Sequence, residues 1–194
     1  MKKEIKLAPT VFLIDTIYLN FMLVNLKNFL EDQLNRELPP AHMADLLAAL
    51  ALDAGIEEGE KEIQVFLVYD ETISSLAHIT PSELNKDLNG VAFQSSLGEF
   101  LFSSVPTENL VTREDLYFDL LSIVLDSKDV KSLILLSSDE EYGERLMKEI
   151  NKEDVSAAIT QFRMRKPAET LHFKWDMLVF PLMKAFGVES DEMK

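Results

Sequence analysis

Val11-Phe12-Leu13-Ile14-Asp15-Thr16-Ile17-Tyr18-Leu19-Asn20 decides how the rest of the chain is read. Four apolar residues run straight into a carboxylate, and a helical pattern begins at once. A short apolar run with β-branched residues suits a strand buried on both faces. An acid at its end stands where open α/β sheets receive ligands, at the carboxyl ends of their strands. Two later junctions repeat the arrangement. Residues 63–69 lead into Asp70, and Leu133-Ile134-Leu135-Leu136 leads through Ser137-Ser138 into Asp139.

Outward from these strands the pattern is mainly helical. Leu19, Met22, Leu26, Phe29, Leu30 and Leu34 recur at spacings of three and four, which predicts a helix over 17–38. Pro39-Pro40 stops it. An Ala- and Leu-rich helix follows over 41–54, with Gly55 placed to cap its end. Thr80-Pro81-Ser82-Glu83 has the pattern of a capping box and predicts a short helix ending near Asn89-Gly90. Residues 91–94 and 99–103 flank Ser95-Ser96-Leu97-Gly98 as a hairpin. Thr112-Arg113-Glu114-Asp115 is a second capping box, with Asp in place of Glu, and opens a helix to about Leu125. A strand over 130–137, a helix over 139–150 and a strand over 155–162 come next. The C-terminal part offers a short strand over 171–173, a helix over 175–186 interrupted by Pro181, a cap at Gly187 and a frayed tail over 189–194. Strands alternating with helices predict a three-layer α/β sandwich with a mostly parallel central sheet. Residues 1–194 form one domain in this reading, with 163–194 as an extension packed on it.

Composition narrows the function classes. Among 194 residues, 19 Lys and Arg face 34 Asp and Glu, a formal charge of −15. That balance repels phosphate backbones at long range and counts against an RNA partner, leaving a protein partner as the other expectation. The absence of cysteine removes disulfides, thiolate metal sites and a cysteine nucleophile. Met1-Lys2-Lys3-Glu4-Ile5-Lys6 has the basic character of a signal-peptide head, but Asp15 interrupts the apolar stretch and no small-residue cleavage site is evident. No apolar run reaches the ~18 residues of a membrane span. A cytoplasmic protein with no membrane partner is the expectation.

His42, His78 and His172 lie at no metal spacing from one another and beside no nucleophile. With only six glycines, neither nucleotide-binding fingerprint can be assembled. The acids remain. Asp15 and Asp139 should lie at one edge of the sheet, with Glu141 in the first turn of the following helix and Asp115 near the start of another. Hard oxygen ligands from several strand ends are what Mg²⁺ or Mn²⁺ requires. Acids in a first helical turn are equally expected from the helix dipole alone. Arg163, Arg165 and Lys166 form the one dense basic cluster, suited to phosphate contact, with Phe162 and Trp175 as stacking surfaces. A solvated sheet edge accounts for the same charges.

Leu13-Ile14-Asp15-Thr16-Ile17-Tyr18-Leu19-Asn20 and Leu135-Leu136-Ser137-Ser138-Asp139-Glu140-Glu141-Tyr142 together resemble the two acidic motifs of the NYN branch of the PIN-like nuclease superfamily. The resemblance covers residues 11 to about 162. It implies a PIN-like fold and a ribonuclease in which Asp15, Asp139 and Glu141 hold Mg²⁺ or Mn²⁺, with Asp115 completing the catalytic acids. The ion would activate water for attack on a phosphodiester. Thr16 and Ser138 stand where that family prefers Gly, Tyr18 where it prefers Asn, and Glu141 where it prefers Asp. A Cβ at positions 16 and 138 obstructs close backbone approach by a substrate. These departures, with the net charge, point to the alternative: a non-catalytic binding or scaffold protein on the same fold.

Overall fold

The computed structural model describes residues 6–59, 62–108, 110–151 and 155–193. In chain order the elements are β1 (Thr10–Asp15), α1 (Thr16–Leu34), β2 (Ala41–His42), α2 (Met43–Asp53), β3 (Glu62–Tyr69), β4 (Ile79–Thr80), a π-helical turn (Leu84–Leu88), β5 (Ala92–Ser95), β6 (Gly98–Pro106), α3 (Arg113–Asp126), β7 (Ser132–Leu136), α4 (Asp139–Ile150), β8 (Ala158–Arg163), β9 (Lys174–Met177), α5 (Val179–Ala185) and a 3₁₀ turn (Ser190–Met193). Seven strands form one sheet in the order β5-β6-β3-β1-β7-β8-β9, while β2 and β4 pair separately. All neighbours in the large sheet are parallel except β5 and β6.

Alternation along β1 explains the layers. Phe12 and Ile14 join one core with α1, α2 and α5, through Leu19, Leu23, Leu46, Leu50 and Leu182. Val11 and Leu13 point the other way, into a core with α3 and α4 through Tyr117, Leu121, Tyr142 and Leu146. A strand with helices on both faces is covered along its length, and all six residues of β1 are buried, the apolar run 11–14 between Thr10 and Asp15. The fold is therefore the expected three-layer α/β sandwich. The chain winds outward from β1 through β3 to β6, returns to β7, and winds the other way. The crevice at the carboxyl ends of β1 and β7 is the topological switch point, the usual ligand position in such sheets.

The hairpin forms as expected, with Ser95 opposite Gly98, whose φ of 137° suits a residue without a Cβ. At the second capping box the N-cap forms, Thr112 Oγ1 accepting from Asp115 N at 3.1 Å, but the Asp115 carboxylate accepts from the Thr112 hydroxyl at 2.8 Å rather than from its backbone N–H. The first capping box does not form. Thr80 lies in β4, paired with His42 of β2, and the five-residue π-helical turn that follows has Glu83 at its amino end with no side-chain cap. α1 stops at Leu34, before the prolines, because Asn35 turns left-handed (φ 51°). The expected strand over 171–173 and the start of the helix over 175–186 are replaced by β9, in which Trp175 lies opposite Gln161. α5 begins only at Val179, with Pro181 in its first turn, where its missing N–H costs nothing. Residues 163–194 thus complete the sheet and add Leu178, Leu182, Ala185, Phe186 and Val188 to the core. The tail docks through an ion pair between Arg36 and Glu192 at 2.7 Å. Residues 1–5, Glu60, Lys61, Asn109, residues 152–154 and Lys194 lie outside the described residues.

Candidate functional site

Asp15 ends β1 and caps α1 in one step. Its Oδ1 accepts from Ile17 N at 3.0 Å and Tyr18 N at 3.2 Å, the bonds an N-cap carboxylate makes. The same oxygen accepts from Arg113 Nη1 at 2.7 Å, and Oδ2 accepts from the Tyr142 hydroxyl at 2.7 Å. The side chain is fully buried. Tyr142 reaches it from a kink in α4 (φ −143°, ψ 23°) and packs against Tyr117 and Phe118 at ring-centre distances of 5.6 and 5.5 Å. A buried charge with every oxygen donated to is a satisfied structural group.

Arg113, the first residue of α3, also donates from Nη2 to Glu141 Oε2 at 2.6 Å, and its Nε lies 3.8 Å from Asp70 Oδ2. Burial works against its charge, but Asp15 and Glu141 outweigh that and hold its pKa above the ordinary arginine value. Two of the sequence-predicted ligands, Asp15 and Glu141, thus meet on one guanidinium.

Asp139 lies at the same edge with different partners. Its Oδ1 accepts from Gln161 Nε2 at 2.8 Å, and Oδ2 forms an ion pair with Arg163 Nε at 3.0 Å. Burial raises its pKa, against the lowering by Arg163 and Gln161. Gln161 is fully buried on β8, and its Nε2 also donates to Ser137 Oγ at 3.2 Å. Its Oε1 has no partner among the described residues. Tyr18 faces this pair. Burial first, then the Asp139 charge, pushes its hydroxyl up to about 12.

Asp115 is not brought to the crevice. It is exposed and ion-paired to Arg145 at 3.0 Å, with Glu114 on the same nitrogen at 2.9 Å. The hydrogen bonds from Thr112 and Arg145 hold its pKa below the usual carboxylate range. The basic cluster divides as well. Arg163 is committed to Asp139, exposed Arg165 reaches Glu140 at 3.2 Å, and Lys166 is exposed. Phe162 is fully buried in the core and offers no stacking surface.

The positions that depart from the NYN pattern each have an internal partner. The Thr16 hydroxyl donates to the Val68 carbonyl at 2.8 Å, tying α1 to β3. Tyr18 meets the Met164 backbone. Ser138 caps α4 by accepting from Glu141 N at 3.3 Å. As arranged, the acids do not fit Mg²⁺ or Mn²⁺. Donors from Arg113, Tyr142 and two backbone amides use the oxygens of Asp15, Gln161 donates to Asp139 Oδ1 while Arg163 pairs with Oδ2 by charge without a hydrogen bond, and among the described residues no group of three or more His, Asp or Glu is disposed to hold a metal ion.

A sequence profile described as a family of unknown function, DUF6621, matches residues 4–193. The chain belongs to that family. Comparison with curated proteins and with solved structures found no match. For this DUF6621 member the site therefore rests on its own geometry.

Four residues of the site were not singled out from the sequence as parts of it: Arg113, Tyr142, Gln161 and Asp70. Asp70 carried a signal, because it follows a strand as Asp15 does. Tyr142 stands one residue beyond Glu141, in the segment that carries the resemblance. Arg113 sits inside the capping box, where attention falls on Thr112 and Asp115. Gln161 is a polar residue in an apolar strand, and such a residue needs a buried partner.

Proposed function

We propose that this chain is a non-catalytic binding or scaffold protein on an NYN/PIN-like α/β fold. The observation that carries the reading is the state of Asp15: fully buried, with four donors on its two oxygens, one of them the Arg113 guanidinium. A carboxylate that serves a catalytic ion keeps an oxygen open toward the metal and leaves room for water. The net charge of −15 and the engagement of Arg163 and Arg165 by acids count against an RNA-binding groove. A protein partner suits the surface better. Phe21 and Phe29 on α1 and Phe180 on α5 are each more than half exposed, and exposed aromatic side chains are characteristic of interaction surfaces. A cytoplasmic location belongs to the same proposal; among the described residues no helix is long and apolar enough to cross a membrane.

The second reading is a metal-dependent ribonuclease, favoured by the convergence of Asp15, Asp70 and Glu141 on one cation. Incubation of RNA with the full chain and Mn²⁺ separates the two, with Asp15→Asn and Asp139→Asn alongside. The expected result is no cleavage that depends on either residue. Cleavage by the native chain that both variants abolish would overturn the binding reading in favour of the nuclease.

A further inference from the structure

α1 has two contrasting faces. Leu19, Leu23, Leu26 and Leu30 are buried in the core beneath it. On the other side Phe21 and Phe29 are 60% and 52% exposed, with Asn25 exposed midway between them. Residues four apart share a helix face, so Phe21, Asn25 and Phe29 form one row about 12 Å long. Two aromatic rings left in water on one row hold apolar surface that a partner would cover.

The row reads the same in both directions: Phe, three residues, Asn, three residues, Phe. A two-fold axis that passes α1 at Asn25 sets a second copy of the helix antiparallel to the first. Phe21 then stands level with the partner's Phe29, and Asn25 with the partner's Asn25. A two-fold contact needs a patch complementary to itself. Aromatic rings pack on one another, and an amide carries both a donor and an acceptor, so every member of the row suits its counterpart. Asn25 Nδ2 donates to the Phe21 carbonyl at 2.8 Å, which holds the amide against the row.

Charge selects the same partner. At −15, two copies repel one another unless the surfaces that meet are free of acids. From Thr16 to Leu30 the only charged residue is Lys27, which is mostly buried and ion-paired with Glu31. The first exposed acid on the helix is Asp32, three residues beyond Phe29. A parallel pair would set Asp32 against its own copy. The antiparallel pair sets it level with the partner's Tyr18, away from any like charge on α1.

We propose that the Phe21-Asn25-Phe29 row of α1 is a homodimer interface, on which two copies of the chain pair antiparallel about Asn25. The proposal rests on the reading of this chain as a binding protein and deepens it by naming the partner. One helix row is small beside a permanent interface, so the dimer exchanges with monomer in the micromolar range.

Sedimentation equilibrium of the full chain, from about 1 to about 200 μM, reads the association directly. The native chain is expected to pass from monomer toward dimer across that range. Phe21→Glu and Phe29→Glu should each weaken association at least about tenfold, because each puts a carboxylate into the row. Leu110→Glu, at an exposed apolar residue of the 107–112 loop, should leave it unchanged. Two double variants read the register. Phe21→Glu/Phe29→Glu sets acid against acid twice, whereas Phe21→Lys/Phe29→Glu sets opposite charges level with each other only in the antiparallel pair. The second should associate at least about tenfold more tightly than the first, and salt should shrink the difference. Circular dichroism and Tm establish that each variant is folded. Should a charged variant fail to fold, Phe21→Ser/Phe29→Ser takes its place and must weaken association likewise. A native chain that stays monomeric at the highest concentration overturns the inference and leaves the binding reading standing. Association that survives Phe21→Glu and Phe29→Glu, that Leu110→Glu also abolishes, or that is equal in the two double variants overturns it as well. The binding reading itself falls only to RNA cleavage that Asp15→Asn and Asp139→Asn abolish, whether or not the chain dimerises.

Discussion

Asp15 and Asp139 follow neighbouring parallel strands at the same edge of one sheet, yet they sit in opposite electrostatic situations. Asp15 is fully buried and takes donors from two backbone amides, an arginine and a tyrosine. Asp139 keeps 26% of its side chain exposed and takes one arginine and one glutamine. The difference starts in the backbone. α1 begins directly after Asp15, so its first amides point back at the carboxylate. After β7, Ser137 and Ser138 intervene, and Ser138 takes the cap of α4. Asp139 becomes a first-turn residue that accepts from no backbone amide among the described residues, and burial raises its pKa. Position at a strand end therefore does not assign a role; the distance from strand to helix does.

The largest break in this comparison is Asp15→Ala. It removes a helix cap and leaves Arg113 and the Tyr142 hydroxyl without their buried partner. Removing one member of a buried ion pair costs about 3–5 kcal/mol, and loss of a cap adds about 1. Urea unfolding of Asp15→Ala should show a loss on the order of 4–6 kcal/mol, whereas Asp139→Asn, which removes a partly exposed carboxylate that burial opposes, should show no comparable loss. Equal losses at the two positions would erase the distinction drawn between them.

Tyr142→Phe sharpens it on a smaller scale. The ring packing against Tyr117 and Phe118 survives, and only the hydrogen bond to Asp15 Oδ2 is lost. A buried bond to a charged group is worth about 1.5–3 kcal/mol. The loss should vanish when Tyr142→Phe is combined with Asp15→Asn if the carboxylate is what makes the bond strong, a coupling that a double-mutant cycle measures directly. At Asp115, where the pair with Arg145 is exposed, Asp115→Asn should leave the Tm unchanged within error.

The contrast also marks what the sequence makes legible. β1, β3 and β7 stand out because a strand covered on both faces has no polar position to spare, and the hairpin and the Thr112 cap stand out because each is a local device. The acids at the strand ends follow from those strands. Their partners do not. Arg113 is 98 residues from Asp15, Tyr142 is 127, and neither pairing has a local spacing. The β9 segment fails for a related reason. Trp175 and Met177 suit a strand or a helix equally, and only the open edge of β8 selects the strand. Thr80 shows the same choice made by a partner, since pairing with β2 holds it in a strand and the turn that follows starts only after Glu83.

The pH dependence at Asp139 is a small effect as well, and its sign separates burial from ion pairing. A carboxyl whose folded pKa lies above its ordinary value of about 3.8 holds its proton more tightly in the folded chain. The stability it contributes is fully present below that value and is lost as pH rises through the raised one. Asp139→Asn removes the ionisation and keeps an oxygen that can accept from Gln161. The variant should therefore gain on the native chain as pH climbs from 3.8 toward neutrality. Asp115, held below its ordinary value by Thr112 and Arg145, has the opposite sign: its contribution is present above about 3.8 and is lost as pH falls through the lowered value. Urea midpoints of the native chain and Asp139→Asn across that range give the answer. A native chain that gains on Asp139→Asn as pH rises would mean that the Arg163 charge outweighs burial at Asp139.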